Sequence, residues 1–273
     1  MIDPEEIPDA SGLVDSHAHL DMEEFDTDRD DVIRRAFQAG LRAILCPADL
    51  IHPESLEKVL SMARNHAVVA AAGVHPHQAS SFRDAHERQI EDLAQNGAIR
   101  AVGEIGLDFH YNLSPPEVQT AVFRRQLALA QRLGLPAVIH SRNSGDALRE
   151  AVEAEGFSRG GILHCFTEDP GVAEDMIARG FLISFSGILT FPGASALRET
   201  AARIPADRLL VETDAPYLTP APFRKRVRRN EPVFAAVTAE VLAGVKNLTP
   251  AETAEITTEN FFRLFPFEKP SGR

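Results

Sequence analysis

From residue 13 onward, short apolar runs alternate with longer amphipathic ones along the chain. The runs of strand length fall at residues 13–20, 42–49, 68–76, 99–108, 136–142, 160–166, 181–187 and 208–216. Most are near-continuously apolar, the pattern of parallel strands covered on both faces. The stretches between them carry helix punctuation. Within residues 114–136, Ser114 is placed to cap, Pro115 suits the first helical position and Glu117 completes a capping box. Val118, Val122, Phe123, Leu127 and Ala130 then share a face, and Gly134 marks the stop. Residues 29–39 repeat this logic, with Val32, Ile33, Ala36 and Phe37 inward and Gly40 ending the helix. Thr249, Pro250 and Glu252 open an extra helix near the C-terminus.

Eight strands, each followed by a helix, predict an α/β fold of the (β/α)8 TIM-barrel type. An open doubly wound sheet is the competing architecture. That fold more often shows a Gly-rich phosphate loop after an early strand, and the sequence has none. The 273 residues suit one barrel domain over residues 13–267, with 1–12 as an N-terminal extension and 268–273 as a tail.

Composition narrows the setting. At 44% hydrophobic residues the chain can bury a large core, yet it has no apolar run of membrane-spanning length. The first ten residues are acidic and hold two prolines, unlike a secretory signal. Cys46 and Cys165 lie in apolar runs and read as reduced, buried thiols, so a cytoplasmic protein is expected. The net charge of −12 argues against broad coating of nucleic acid. A local exception stands at Arg224, Lys225, Arg226, Arg228 and Arg229. No segment points to a membrane or to an obligate protein partner.

Functional groups of such barrels gather at the C-terminal strand ends, and those ends are rich in ligand-type residues. The first strand ends in His17 and His19, whose spacing of two puts both side chains on one face. The third ends in His75 and His77, the fourth in Glu104 and Asp108, the fifth in His140 and Arg142, the sixth in His164, and the eighth in Glu212 and Asp214. A single histidine at such a place is more often structural, and a lone buried acid is commonly paired with arginine. The combination differs: buried carboxylates among neutral imidazoles need a compensating cation, most simply a divalent metal. His17, His19, Glu104, His140, His164 and Asp214 exceed one tetrahedral site. Two ions fit better, with His17, His19 and Asp214 on one, His140 and His164 on the other, and Glu104 as the bridge. Paired ions roughly 3.5–4 Å apart suit phosphoryl displacement, and Asp214 is placed to take the proton from the attacking water.

The strings DSHAHLD, GVHPH, GEIGLDF, IHSR, HCF, VETDAP and RRNEP occur in this order. Together they resemble the TatD family of metal-dependent deoxyribonucleases, in the amidohydrolase superfamily, over roughly residues 13 to 265. The family's ligand motifs fall on His17, His19, Glu104, His140, His164 and Asp214, with no departure at a ligand position. The resemblance implies a barrel, a two-ion site and nuclease activity, often 3′→5′ exonucleolytic on single-stranded DNA. The fourth strand offers Glu104 and no lysine, unlike relatives that bridge their metals with a carboxylated lysine. Carboxylates favour hard cations and imidazoles favour zinc or manganese, so Mg2+, Mn2+ and Zn2+ all remain open.

Around that site, Arg142 is placed to contact a non-bridging phosphate oxygen. Arg226, Arg228 and Arg229 belong to a basic run that can hold a phosphodiester backbone, or else form a solvated loop. His75 is expected in the outer part of the site, touching phosphate or donating a proton to the leaving oxygen. Glu212 orients Asp214 or accepts a bond from a ligand histidine, and Asp108 has the same two readings. Tyr111 and Tyr217 both follow site-bearing strands, a weak sign of base stacking. Hydrolysis of a small ester, lactone or amide is the alternative activity; a metal- or nucleic-acid-binding protein without catalysis is the third reading.

Overall fold

The computed structural model describes residues 9–266 except Arg228, so part of the N-terminal extension, the tail at 268–273 and the expected phosphate contact Arg228 lie outside the described residues. Its strands are β1 (Val14–Asp15), β2 (Ala43–Asp49), β3 (Val68–Gly73), β4 (Ala101–Asp108), β5 (Ala137–Arg142), β6 (Gly161–Leu163), β7 (Phe181–Phe185) and β8 (Leu209–Val211). They form one eight-stranded sheet in sequence order, the (β/α)8 barrel that the alternation predicts. The intervening helices are α1 (Arg29–Gln38), α2 (Pro53–Asn65), α3 (Asp84–Gln95), α4 (Pro116–Leu133), α5 (Gly145–Ala154), α6 (Pro170–Ala178), α7 (Ser195–Arg203) and α8 (Ala235–Lys246), with α9 (Pro250–Leu264) as the extra helix. None of the described helices is long and apolar enough to cross a membrane.

Contacts divide the chain into a unit of Pro47–Arg64 with Val69–Ile183 and a unit of the remaining segments. In the second of these, β1 pairs in parallel with β2 at Val14–Ala43 and Asp15–Ile44. On its other side β1 meets the segment after β8 through a parallel bridge between Ala18 and Ala215. The run at residues 13–20 is therefore extended, but only two of its residues form a regular ladder. Beyond Asp15 the backbone alternates partners: Ser16 N–H donates to the Val211 carbonyl and Ala18 N–H to that of Leu45. Buried Asn260 of α9 donates to the carbonyls of Ala206 and Leu209, anchoring the start of β8. At the entry to α9, Thr249 Oγ1 accepts from the Glu252 N–H while Glu252 accepts from that of Thr249.

In the central unit, β4 pairs with β5 over Ile105–Ile139 to Asp108–Arg142, with a register shift between Val102 and Ile105. Glu104 sits in that irregularity, the kind of bulge that re-aims a side chain. Gly106 faces His140 with φ of +141°, and a Cβ there would lie 2.0 Å from the His140 carbonyl oxygen. Only glycine lets the two strands approach this closely.

Helix α4 starts one residue later than expected. Pro115 is extended because a proline follows it, so the first helical residue is Pro116. Ser114 does not cap; its hydroxyl donates to the His77 carbonyl and accepts from the Ser80 N–H. Gly134 ends the helix in the left-handed conformation. Phe37 is half-buried, stacked on His66, while Val32, Ile33 and Ala36 are fully inward. Cys46 is buried, whereas Cys165 is only half-buried, in a turn with φ of +44°.

Candidate metal centre

In the unit containing both chain ends, the extended path after β1 presents His17, fully buried, and His19, partly exposed. Their Nε2 atoms lie 3.1 Å apart, and Asp214 Oδ1 is 3.9 Å from the first and 3.6 Å from the second. Asp214 sits at a φ of +53°, held in that turn by backbone bonds from its N–H to the His17 carbonyl and from the Tyr217 N–H to its own carbonyl. Beneath them lies Asp15, fully buried. It accepts from the Thr213 N–H at 2.9 Å, the Thr213 hydroxyl at 2.6 Å and the His17 N–H at 3.3 Å. Burial, reinforced by the nearby Glu212 charge and only partly offset by Thr213, pushes the Asp15 carboxyl well up. Glu212 is fully buried, its N–H donating to the Phe185 carbonyl.

In the central unit a single oxygen, Glu104 Oε1, lies 2.8 Å from His164 Nε2, 3.1 Å from His140 Nδ1 and 3.3 Å from His75 Nε2. His140 Nδ1 and His164 Nε2 are themselves 3.2 Å apart. The opposite side of the His140 ring meets Asp108 Oδ2 at 3.1 Å, and His77 reaches the same oxygen at 2.9 Å. Glu104 and Asp108 thus grip one imidazole from both sides, as their shared strand face predicts. Burial pushes the His75 pKa down to about 4, against the pull of Glu104, so the ring is uncharged at neutral pH. It can donate an N–H or a lone pair there, but it is not a charged acid. Burial also opposes a charge on His140, but its bonds to Asp108 and Glu104 outweigh it and raise that pKa.

This donor chemistry fits divalent cations. Two imidazole nitrogens at 3.1–3.2 Å, one such pair in each unit, need either a shared proton or a cation between them. Ligand-type atoms of His17, His19 and Asp214, and those of His75, Glu104 and His140, each fall within 4.8 Å of one another. His77, Asp108 and His140 form a further such group.

Some supporting residues carry no ligand signature in the sequence. Gln119 and Gln126 are buried on α4. Gln119 Oε1 accepts from the Asp108 N–H at 2.8 Å, and its amide donates to the carbonyls of Asp108 and Ser114. Gln126 accepts from and donates to the backbone of Val74, just ahead of His75. Asn230 donates to the carbonyls of Thr213 and Tyr217, clamping the loop that holds Asp214.

The basic residues part company. Arg142 lies over the Tyr111 ring at 4.7 Å, Arg224 over Phe191 at 4.6 Å and Arg226 over Phe223 at 5.7 Å. Arg229 is turned inward: it covers the Phe25 ring at 4.5 Å, pairs with Asp28 at 2.5 Å and Glu231 at 3.3 Å, and donates to the Glu24 carbonyl. These bonds engage two of its three guanidinium nitrogens and tie Arg229 to the loop that carries it.

Residues 14–266 match the family described as TatD related DNase. The chain is 39% identical over 255 residues to the uncharacterized metal-dependent hydrolase YabD of Bacillus subtilis, covering 93% of this chain and 98% of that one. It is 37% identical over 259 residues to the 3′-5′ ssDNA/RNA exonuclease TatD of Erwinia tasmaniensis, covering 93% and 99%. The crystal structure of YjjV, a TatD homologue from Escherichia coli, superposes with a TM-score of 0.87 at 32% identity, covering 94% of this chain and 99% of that one. The barrel, its histidine–carboxylate clusters and these near-full-length matches together make the chain a member of the TatD family of metal-dependent hydrolases.

Proposed function

We propose that the protein hydrolyses phosphodiester bonds of DNA, removing nucleotides from the 3′ end of single strands. The observation that carries this reading is the contact of one Glu104 oxygen with three imidazole nitrogens at 2.8–3.3 Å, an arrangement suited to a cation. His17, His19 and Asp214 would hold one divalent ion, and Glu104, His140 and His164 another. Such ions supply Lewis acidity and a water ionised near neutral pH. The substrate class draws support from the exonuclease name of relatives at 37–38% identity.

The chain's own groups divide the remaining work. Asp214, held by backbone bonds at its strained turn, accepts the proton of the attacking water. Neutral His75, whose Nδ1 accepts from the His77 N–H, carries its one N–H on Nε2 and shares it between Glu104 and the phosphate. Arg142, at the end of β5, offers the in-plane N–H donors of its guanidinium to a non-bridging oxygen. Exposed Arg226 adds a second cation for the backbone of the strand. Glu212, buried two residues before Asp214, positions that turn.

The test is degradation of a 5′-labelled single-stranded oligonucleotide by metal-free protein reloaded with magnesium, manganese or zinc. Shortening from the 3′ end, dependent on metal and lost in Glu104→Ala, is the expected result. Absence of cleavage with every metal overturns the nuclease reading and turns attention to ester, lactone and amide substrates.

A further inference from the structure

Only three large hydrophobic side chains are conspicuously exposed among the described residues: Tyr111, Leu113 and Tyr217. Tyr111 is 55% exposed, yet its surroundings are highly organised. Its backbone N–H donates to Asp108 Oδ1 at 2.8 Å, which fixes the residue to the end of β4. The Arg142 guanidinium backs the ring at 4.7 Å. The rings of His77 and His110 stand nearly perpendicular to it, at 5.7 and 4.8 Å. A solvent-facing tyrosine that merely covers core has no need of this support.

We propose that Tyr111 is the stacking platform for one unpaired nucleobase of the strand being cut, with Arg142 as its backing cation. The proposal rests on the nuclease reading above and names a subsite of that activity. Its position follows from the contacts. Ring-to-ring steps of 5.7 Å to His77 and 6.0 Å from His77 to His140 lead from the platform to the Glu104 cluster. Arg142 ends β5, the strand that carries His140, and Tyr111 follows β4, so backbone and base are read from the ends of two paired strands. A guanidinium whose central carbon lies over an aromatic ring can still offer N–H donors to an adjoining phosphate. Every base has a π-face, so the platform grips strands of any sequence. A base inside a duplex is already stacked and paired, so the same feature favours single strands.

The test pairs a protein change with a substrate change. The holoenzyme, Tyr111→Ala and Tyr111→Trp are assayed on a single-stranded oligonucleotide and on copies carrying one abasic residue, walked inward from the 3′ end. Loss of the ring is expected to raise KM about tenfold, from the usual worth of one base–aromatic stack. Tyr111→Trp should restore it. At one position the abasic substrate should cost the wild type a similar factor and cost Tyr111→Ala nothing further. Equal abasic penalties in wild type and Tyr111→Ala at every position would overturn the platform while leaving the nuclease intact. A wild type that degrades no oligonucleotide at all would overturn both.

Discussion

Asp108 and Glu104 hold the two nitrogens of the His140 ring from opposite sides, Asp108 Oδ2 at 3.1 Å from Nε2 and Glu104 Oε1 at 3.1 Å from Nδ1. Burial opposes ionisation of Asp108, but hydrogen bonds from His140, the Tyr111 N–H and His77 outweigh it and hold the carboxyl far below its usual range. An ionised carboxylate only accepts, so Asp108 selects the tautomer protonated on Nε2. Nδ1 then meets the Glu104 oxygen either through a second proton, which the raised His140 pKa favours, or through a cation that takes that proton's place.

Asp108→Asn should therefore weaken metal binding without unfolding the barrel. The amide can present either a donor or an acceptor, so it no longer fixes the tautomer. A loss of about 10–100-fold in metal affinity is expected, in line with other carboxylates that orient a ligand histidine. Competition against a chromogenic chelator measures it directly, with circular dichroism as the check on fold. Unchanged affinity would mean that His140 is oriented by packing alone.

Gln126 supports the neighbouring strand end in a different way. Its side-chain amide serves both backbone groups of Val74, at 2.8 and 3.0 Å, in the residue before His75. Gln126→Leu keeps the apolar bulk but strands a buried N–H and a buried C=O. Each such group costs roughly 1–3 kcal/mol, so a destabilisation of about 2–6 kcal/mol is expected in urea unfolding of the metal-free protein. A change below about 0.5 kcal/mol would mean that water or a shifted loop takes over both groups.

The barrel was readable in the sequence because buried parallel strands and amphipathic helices leave different periods, and the strands here follow one another in order. The candidate ligand residues stood out because histidines and acids are rare inside apolar runs. Less visible was how the chain carries them. His17, His19 and Asp214 lie beyond the regular ladders of β1 and β8, in backbone that is extended but irregularly paired. Asp15 and Thr213 are 198 residues apart, and no local pattern announces their hydrogen bond. Gln119 and Gln126 occupy inward positions of an amphipathic helix, where an apolar residue is the default. Their role depends on a strand end that only the fold brings near. Arg229 shows the converse: five cations within six positions look alike in sequence, and only contacts such as those to Asp28 and Phe25 set it apart from exposed Arg224, Lys225 and Arg226.

Arg229 also supplies a pH test away from the candidate metal-ligand histidines. Asp28 is held below its ordinary pKa, first by the hydrogen bond from Arg229 and then, against some burial, by the charges of Arg229 and Arg35. The folded protein therefore gives up this proton at lower pH than the unfolded chain, whose aspartates titrate near about 3.9. Stability from the pair is complete above that value and is lost as pH falls through the depressed folded pKa. Asp28 is about one-third exposed, at 32%, so screening limits the contribution to about 1 kcal/mol. Asp28→Asn should cost that amount in urea unfolding of metal-free protein at pH 7 and again at pH 5. The gap between the two proteins should narrow below pH ~4, as the wild-type carboxyl takes up its proton. A gap that persists undiminished at pH 3 would assign the effect to the shape of the asparagine side chain, and not to the charge that ties Arg229 inward.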